Sequence, residues 1–265
     1  MSQDTQIQGS PDMAEPNPLP CTLDELSTAF GTQNVTPETR QNNIRSLFQS
    51  IASRYDLMND LMSGGMHRLW KQRFVSRVKD LPEGPIYDVA GGTGDIAKLL
   101  LTQLPGREIC VLDPSSKMLA VAKERLGEKC SYVEAQAEDW PLPASSVSGA
   151  TLSFGLRNFT RPSLAFTEIA RVLKPGGRLH ILEFSQPDAW LAPFYRFYAR
   201  LVIPAIGALV TGNRGAYRYL VESIAGFPPI EVVSEALEIS GLEVVHTEKV
   251  LFGIAAIHIA EKVDA

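Results

Sequence analysis

The residues best suited to bind a ligand form one stretch, residues 86–95, with the order Ile-Tyr-Asp-Val-Ala-Gly-Gly-Thr-Gly-Asp. An apolar run that carries one acid, Asp88, leads into Gly91, Gly92 and Gly94. Glycines let a backbone turn sharply and approach a ligand without a Cβ clash. The free N–H groups at the start of a following helix favour a negative group. The stretch therefore predicts a strand, a glycine loop and a helix that together bind an adenine-containing cofactor. Asp88 is interpreted either as an anchor of the loop through its N–H groups or as a purely structural acid at the end of the strand.

A second acid, Asp113, lies nineteen residues after Gly94, at the end of a predicted strand over residues 108–112. An acid at that place accepts hydrogen bonds from both hydroxyls of a ribose. Residues 92–97 also fit the dinucleotide fingerprint GxGxx(G/A). NAD and S-adenosylmethionine (SAM) both satisfy these features, so the loop and the acid alone leave the cofactor open.

Two further features separate the two cofactors. Acids and amides follow the third predicted strand at Gln136, Glu138 and Asp139, where they can contact the edge of an adenine. A Pro-Gly-Gly turn at residues 174–177 precedes the fifth predicted strand. Such a turn is common in class I methyltransferases and has no role in nicotinamide binding. Both features favour SAM.

The elements that must position these residues are alternating strands and helices. Predicted strands cover residues 86–90, 108–112, 131–134, 148–154 and 178–184, helices cover 117–126 and 163–173, and a hairpin covers 242–260. This alternation predicts an α/β fold with a mainly parallel sheet. The hairpin predicts that the last of seven strands is antiparallel. Two helical patterns, one from Thr36 and one carrying His67 and Trp70, precede the sheet and are expected to cover its open face.

The bulk properties exclude several classes of protein. The chain has 265 residues and a net charge of −5, which argues against a nucleic-acid binder that depends on bulk charge. Its three cysteines are far apart and form no Cys-x-x-Cys pair, so we expect neither a disulfide framework nor a metal site.

An aromatic and aliphatic run over residues 189–210 resembles a membrane segment at first sight. Arg196 and Arg200 fall inside it, and Pro193 and Pro204 interrupt it. A spanning helix needs about 20 apolar residues without such charges. Two interpretations stay open: an amphipathic element that covers an apolar ligand site or touches a membrane surface, and a helix packed in the core.

Four motifs in order resemble those of the ubiquinone/menaquinone biosynthesis C-methyltransferase family, and the match runs from about Arg45 to the C-terminus. They are Tyr55-Asp-Leu-Met-Asn59 with Ser63, His67 and Trp70; Asp88-Val-Ala-Gly-Gly-Thr-Gly-Asp95; Ser153-Phe-Gly-Leu-Arg-Asn158; and residues 171–185. The resemblance implies a Rossmann-like class I methyltransferase with a seven-stranded, mostly parallel sheet and an N-terminal helical preamble.

The resemblance also implies the reaction and its cofactor. SAM would methylate a ring carbon of a polyprenylated quinol, converting demethylmenaquinol to menaquinol or 2-methoxy-6-polyprenyl-1,4-benzoquinol to its methylated product. The positions that bind SAM are taken by Thr93, Asp113, Gln136, Ala137 and Ser153, and Tyr55 lies near the cofactor or substrate. Gln136 is a departure, because relatives often have Asn there.

An aromatic carbon must lie in line with the sulfonium methyl group, and it is a weak nucleophile until a neighbouring hydroxyl loses its proton. We expect Arg157 to stabilise the developing phenolate and Asn158 to orient it. The alternative for Arg157 is a structural pair with Glu183 or Asp139. The pKa of a histidine suits proton transfer, so His67 is a further catalytic candidate; alternatively it caps or packs on the preamble helix.

Residues 1–35 are predicted to be a disordered or weakly ordered acidic tail, with a short helical turn within 22–30, and residues 36–265 the methyltransferase domain with its helical lid. The sequence shows no signal peptide with a basic start and an apolar run, which predicts a cytoplasmic protein. Peripheral contact with the inner membrane is also expected. The expected partner is the quinol substrate, and no nucleic acid is expected to bind. A homodimer and a quinone-biosynthesis complex are both left open. The alternatives to the enzyme are an NAD(P)-dependent oxidoreductase and a non-catalytic SAM-fold subunit.

Overall fold

The computed structural model describes residues 22–51, 60, 63–199 and 214–263. A short hairpin, β1 and β2, precedes a main sheet of seven strands, β3 to β9. The strands are β1 (Ala29–Phe30), β2 (Gln33–Asn34), β3 (Ile86–Val89), β4 (Ile109–Leu112), β5 (Ser131–Val133), β6 (Val147–Ser153), β7 (Leu173–Phe184), β8 (Glu243–Val250) and β9 (Ala255–Glu261).

The order of the main sheet is β5-β4-β3-β6-β7-β9-β8. The pairs between β5 and β7 are all parallel. Strand β9 is antiparallel to both β7 and β8, so it is the reversed strand of this sheet. The predicted α/β fold with a mostly parallel sheet and an antiparallel last strand is confirmed. The sequence order reverses between β3 and β6, which creates the crevice where open α/β sheets bind ligands.

Strand β7 begins at Leu173, earlier than the predicted start at Arg178. Strand β7 advances from Leu173 to Arg178 while its partner advances only from Val147 to Gly149, and Gly176 has φ +71°. The predicted Pro-Gly-Gly turn is therefore present as a bulge inside the long strand.

Helices cover both faces of the sheet. They are α1 (Pro37–Ile51), α2 (Met66–Val75), α3 (Asp95–Gln103), α4 (Ser116–Leu126), α5 (Pro162–Val172), α6 (Ala192–Phe197), α7 (Arg214–Ala225) and α8 (Ile230–Ile239). Strands β3 and β4 are buried along their whole length, as expected for parallel strands covered on both sides. One apolar cluster includes Leu152 and Phe166, and another includes Phe74 and Leu100. The two clusters hold the sheet rigid beneath the ligand crevice.

Residues 22–34 differ from the predicted tail, because they fold against the main core. Leu23–Thr28 forms a 3₁₀ helix, as the predicted short turn suggested, and Leu23 and Leu26 are only 2% and 6% exposed. Asp24 Oδ1 accepts a hydrogen bond from the N–H of Ser163 at 3.1 Å, in the first turn of α5. A carboxylate at a helix N-terminus is stabilising. The folded unit therefore includes these residues, while residues 1–21 lie outside the described part.

The aromatic run that begins at residue 189 is described only as far as Ala199. Within that part α6 leaves Phe194 and Phe197 71% and 65% exposed, and Trp190 before it is 59% exposed. The described part therefore fits the amphipathic interpretation better than the core-packing one. Among the described residues, no helix has the length and apolar character needed to cross a membrane.

Candidate active site

A cavity of about 830 Å³ opens at the carboxyl ends of strands β3 to β6. The glycine loop after β3 forms its floor, and residues from α1, among them Gln41 and Phe48, line another wall. The helical preamble therefore covers the crevice, as predicted. Thr93, Ala137 and Ser153, which the resemblance implies bind SAM, all line this cavity.

The glycine loop needs glycine for two physical reasons. A Cβ on Gly91 would lie 2.8 Å from both Asp88 Oδ2 and Val111 Cγ1, so a larger residue would clash. Gly94 has φ +80° at the N-cap of α3, a left-handed conformation that L side chains rarely adopt. The loop therefore brings its backbone close to the cavity and leads directly into the helix.

Asp113 ties the glycine loop to the end of β4. Its Oδ2 accepts a hydrogen bond from the N–H of Gly92 at 2.9 Å, and its Oδ1 accepts one from Ser115 at 2.8 Å. Each carboxylate oxygen has a further lone pair, which is the requirement for binding two ribose hydroxyls. Burial raises the pKa of Asp113 to about 6, so the carboxylate is ionised at neutral pH.

Asp88 lies beneath the loop and is 1% exposed. Its two oxygens accept hydrogen bonds from the N–H of Ala97, at 3.2 Å, and from Thr151 Oγ1, at 3.0 Å. It thus holds the first turn of α3 and strand β6 together, which is the structural role that the sequence left open for Asp88. Burial raises the pKa of Asp88 to about 7, which makes this carboxyl group a source of pH-dependent stability.

The residues after β5 form the far end of the cavity. Gln136 Oε1 accepts a hydrogen bond from Gln41 Nε2 at 2.7 Å, so α1 reaches the place where an adenine edge was predicted. Glu138 Oε1 instead accepts the N–H groups of Thr160 and Arg161 at 3.2 and 3.1 Å. Glu138 therefore holds the loop before α5 from the wall of the cavity.

A buried polar atom in the cavity supports SAM binding independently of the sequence motifs. Ser153 Oγ is buried, lines the cavity and has no hydrogen-bond partner among the described residues. A buried hydroxyl without a partner costs free energy unless a ligand completes it. Together with the carboxylate of Asp113, it supplies the polar contacts that a nucleoside needs. Tyr55, also predicted near the cofactor, lies outside the described residues.

A second, smaller cavity of about 110 Å³ adjoins the first. Phe154 lines both cavities, so they are neighbours across this residue. Most of the lining is apolar or aromatic, from Met66, Trp70, Phe154, Phe184, Tyr195, Leu220, Ile224, Leu251 and Ile254. Among the described residues, the lining also contains two polar side chains that can carry a charge, His67 and Arg157. We call it the acceptor cavity, and the larger one the cofactor cavity.

Arg157 and Glu183 form a buried ion pair in the wall of the acceptor cavity. Arg157 Nη1 lies 2.8 Å from Glu183 Oε1, and the two side chains are 3% and 2% exposed. The same nitrogen donates to the carbonyl of Phe154 at 2.7 Å. Arg157 Nε is buried without a hydrogen-bond partner among the described residues. The structural pairing foreseen for Arg157 thus exists with Glu183, and one N–H donor of the guanidinium is left for a ligand.

Asn158 and His67 lie on different sides of Phe154. Asn158 lines the cofactor cavity, and its Oδ1 accepts a hydrogen bond from the hydroxyl of Tyr219 at 3.0 Å. His67 lines the acceptor cavity, with Nδ1 at 2.8 Å from Ser63 Oγ. Burial and then the nearby Lys71 ammonium lower the pKa of His67, so the imidazole is neutral at pH 7. The structure therefore places His67 and Arg157 in the acceptor cavity and Asn158 in the cofactor cavity.

Arg40 of α1 is a functional candidate that sequence reasoning missed. It is 1% exposed, and its guanidinium donates to the carbonyls of Ala29, Arg157 and Phe159, each at 2.7 Å. These bonds hold the 3₁₀ turn Leu156–Asn158 against the preamble. In the sequence, Arg40 is a cation on a predicted helix, and such a residue is ordinarily expected to face solvent. The sequence therefore does not indicate that Arg40 is buried.

The sheet order, the glycine loop and the acid after the second strand of the sheet define a class I SAM-dependent methyltransferase. A SAM-dependent methyltransferase from Thermotoga maritima has the same fold, with a TM-score of 0.59 at 18% identity over 83% of this chain and 99% of that chain. Residues 33–262 match the model of the ubiE/COQ5 methyltransferase family, and the chain belongs to that family.

Curated relatives agree with this assignment over nearly the whole chain. The ubiquinone/menaquinone biosynthesis C-methyltransferase UbiE of Rubrivivax gelatinosus is 44% identical over 253 residues, covering 96% of this chain and 97% of the relative. The UbiE of Methylobacterium nodulans is 43% identical, covering 91% and 98%. The protein is therefore a SAM-dependent methyltransferase, and the oxidoreductase alternative is excluded.

The buried Asp88 predicts how stability depends on pH. Its pKa in the folded protein is raised from 3.8 to about 7, so folding favours the protonated carboxyl group. The contribution of this group to the free energy of unfolding is fully present below pH ~4 and is lost as the pH rises to the folded-state pKa. Asp88→Asn has no proton to lose. The free energy of unfolding of this variant, relative to the parent, should rise by on the order of 2 kcal/mol between pH 5 and 8, measured by urea unfolding.

Asp139→Asn is the matched control, because Asp139 is exposed. This variant shows how much of the measured change comes from replacing an exposed carboxyl group with an amide. Asp113 titrates equally in parent and Asp88→Asn, so it cancels from their difference. A difference between Asp88→Asn and the parent that does not change with pH would show that Asp88 is not the titrating group.

Proposed function

We propose that this protein transfers the methyl group of SAM to a ring carbon of a polyprenylated quinol, the reaction class that the names of its UbiE relatives indicate. One observation carries the proposal. A small apolar cavity containing a buried arginine adjoins the cofactor cavity across Phe154. A methyl donor and an aromatic acceptor need such neighbouring sites, because the reacting atoms must meet in line.

The acceptor cavity has the size of an aromatic ring. Its volume of about 110 Å³ is close to the ~150 Å³ of an apolar protein cavity that binds benzene. Its aromatic and aliphatic lining suits a quinol ring more than a charged metabolite. A polyprenyl tail exceeds this volume, so the tail leaves the cavity and runs along the neighbouring apolar surface.

The two titratable side chains have complementary roles toward a quinol. An arginine is protonated at every physiological pH, so Arg157 stabilises the phenolate oxygen and does not take the proton. It does so through its Nε–H, which has no hydrogen-bond partner among the described residues. The neutral His67 is the group in the acceptor cavity that can accept the hydroxyl proton. Glu183 holds the guanidinium in place from behind. SAM would supply the electrophilic methyl group and leave as S-adenosylhomocysteine. The ring carbon that gains the methyl group would release its own proton to solvent, which restores the aromatic ring.

Two segments that line the acceptor cavity, helix α6 and the turn after β8, also carry exposed aromatic residues. Helix α6 directs Tyr195 to the cavity and leaves Phe194 and Phe197 exposed. The turn after β8 contributes Leu251 and Ile254 to the cavity and leaves Phe252 exposed. We propose that this aromatic surface contacts the lipid bilayer that holds the polyprenylated substrate. A homodimer and a quinone-biosynthesis complex stay predictions.

The proposed reaction is tested with purified protein, SAM, and either demethylmenaquinol or 2-methoxy-6-polyprenyl-1,4-benzoquinol, with mass detection of the product. We expect the parent to methylate at least one acceptor. Arg157→Met with Glu183→Gln removes both buried charges together, so that no unpaired carboxylate remains. This double variant should bind SAM like the parent and lose about 10²–10³-fold in kcat.

The matched control is Arg178→Met, since Arg178 pairs with Glu261 at the same 2.8 Å but lines neither cavity. It should keep the parent kcat. The proposal is wrong if the parent methylates neither quinol, or if the double variant turns over at the parent rate.

The lipid contact is tested by sedimentation with vesicles of phosphatidylethanolamine and phosphatidylglycerol. Phe194→Ser with Phe197→Ser removes two exposed aromatic groups, each contributing about 1.5–3 kcal/mol when buried, so vesicle binding should fall at least about tenfold. Ile239→Ser on α8, where Ile239 is 78% exposed, should leave binding unchanged. Equal sedimentation of the double variant and the parent would rule out this surface.

A further inference from the structure

Lys71 is a buried cation in the wall of the cofactor cavity. It lies on α2, outside the glycine loop, and is 7% exposed. Its Nζ lies 3.0 Å from Oδ2 of Asp95, the first residue of α3. The other cations that line this cavity, Arg45 and Arg161, are exposed. Among the described residues of the lining, Lys71 is therefore the cation shielded from water.

The charge of Lys71 is only partly compensated. Asp95 also accepts a hydrogen bond from Arg125, with Nη2 at 2.8 Å from its Oδ1. One carboxylate thus serves two cations, and the other carboxyl group within electrostatic reach of Lys71 is the buried Asp88, which already accepts hydrogen bonds from Ala97 and Thr151. An ammonium has three N–H donors, and one acceptor of Nζ is found among the described residues. A buried cation with spare donors is costly unless a second anion completes it.

The location of Lys71 indicates which anion that is. Asp113 defines the ribose end of the cofactor, and Gln136 lies toward the adenine end, after β5. The remaining part of SAM, its methionine chain, must extend toward the glycine loop and the start of α3. There the N-terminal dipole of the helix and the Lys71 ammonium both favour a negative group. The methionine chain carries one such group, its α-carboxylate.

We propose that Lys71 binds the α-carboxylate of the cofactor's methionine chain. Asp95 and Arg125 hold the ammonium in position, and the N–H groups of the glycine loop share the carboxylate. The assignment rests on SAM as cofactor and is independent of the quinol acceptor. Lys71 thereby gives the cofactor cavity a means of distinguishing SAM from an adenine nucleoside without a carboxylate.

The test compares two ligands that differ only in this group, SAM and decarboxylated SAM, by calorimetry without any acceptor. A charge-assisted hydrogen bond contributes about 1.5–3 kcal/mol, so Lys71→Met should raise the Kd for SAM roughly 10- to 100-fold. The Kd of decarboxylated SAM should change by less than about threefold, because that ligand lacks the partner. Lys71→Arg, which keeps the charge, should bind SAM more tightly than Lys71→Met.

Lys98→Met is the matched control, since Lys98 is an exposed cation on α3 and should leave both affinities unchanged. If Lys71 only orders Asp95 and α3, Lys71→Met will weaken both ligands by the same factor, which overturns the proposal. An unchanged Kd for SAM overturns it equally. Because no quinol is present, failure of the proposed methyl acceptor would leave this result unaffected.

Discussion

Two buried guanidinium groups fix the turn that follows strand β6, and the rest of the site depends on it. Arg157 points inward onto Glu183 at 2.8 Å, while Arg40 of α1 donates to the carbonyls of Arg157 and Phe159. A buried guanidinium is costly when its N–H donors lack acceptors, so the Glu183 carboxylate and the carbonyls that accept from Arg40 constrain the backbone of the turn. The turn is held from the sheet on one side and from the helical preamble on the other.

This constraint determines where the two ligands meet. Ser153 faces the cofactor cavity, Phe154 borders both cavities, and Arg157 lies in the acceptor cavity, so five consecutive residues pass from one site to the other. The hydrogen bond from Gly92 to Asp113 holds the glycine loop against the opposite side of the cofactor cavity. A methyl group crossing near Phe154 therefore moves between two preorganised walls, which is the geometric condition for in-line transfer.

Much of this arrangement is predictable from the sequence because it depends on local chemistry. The glycine loop, Asp113 and the mostly parallel sheet follow from turn residues, strand-end acids and alternation of elements. Arg40 and Lys71 were not predictable, since polar positions on amphipathic helices ordinarily face solvent and only tertiary packing buries them. Residues 22–34 were missed for a related reason: Leu23 and Leu26 are too few to predict a core contact until α5 is in place.

The most direct test of the account is a crystal structure of the protein with S-adenosylhomocysteine and a demethylated quinone. The account predicts both ribose hydroxyls on Asp113, the sulfur directed past Phe154, and the ring in the acceptor cavity with an oxygen at Arg157. The distance from sulfur to the ring carbon should be roughly 5 Å, a methyl bond plus a near-attack contact. A sulfur directed away from Phe154, or a ring bound outside the acceptor cavity, would contradict the account.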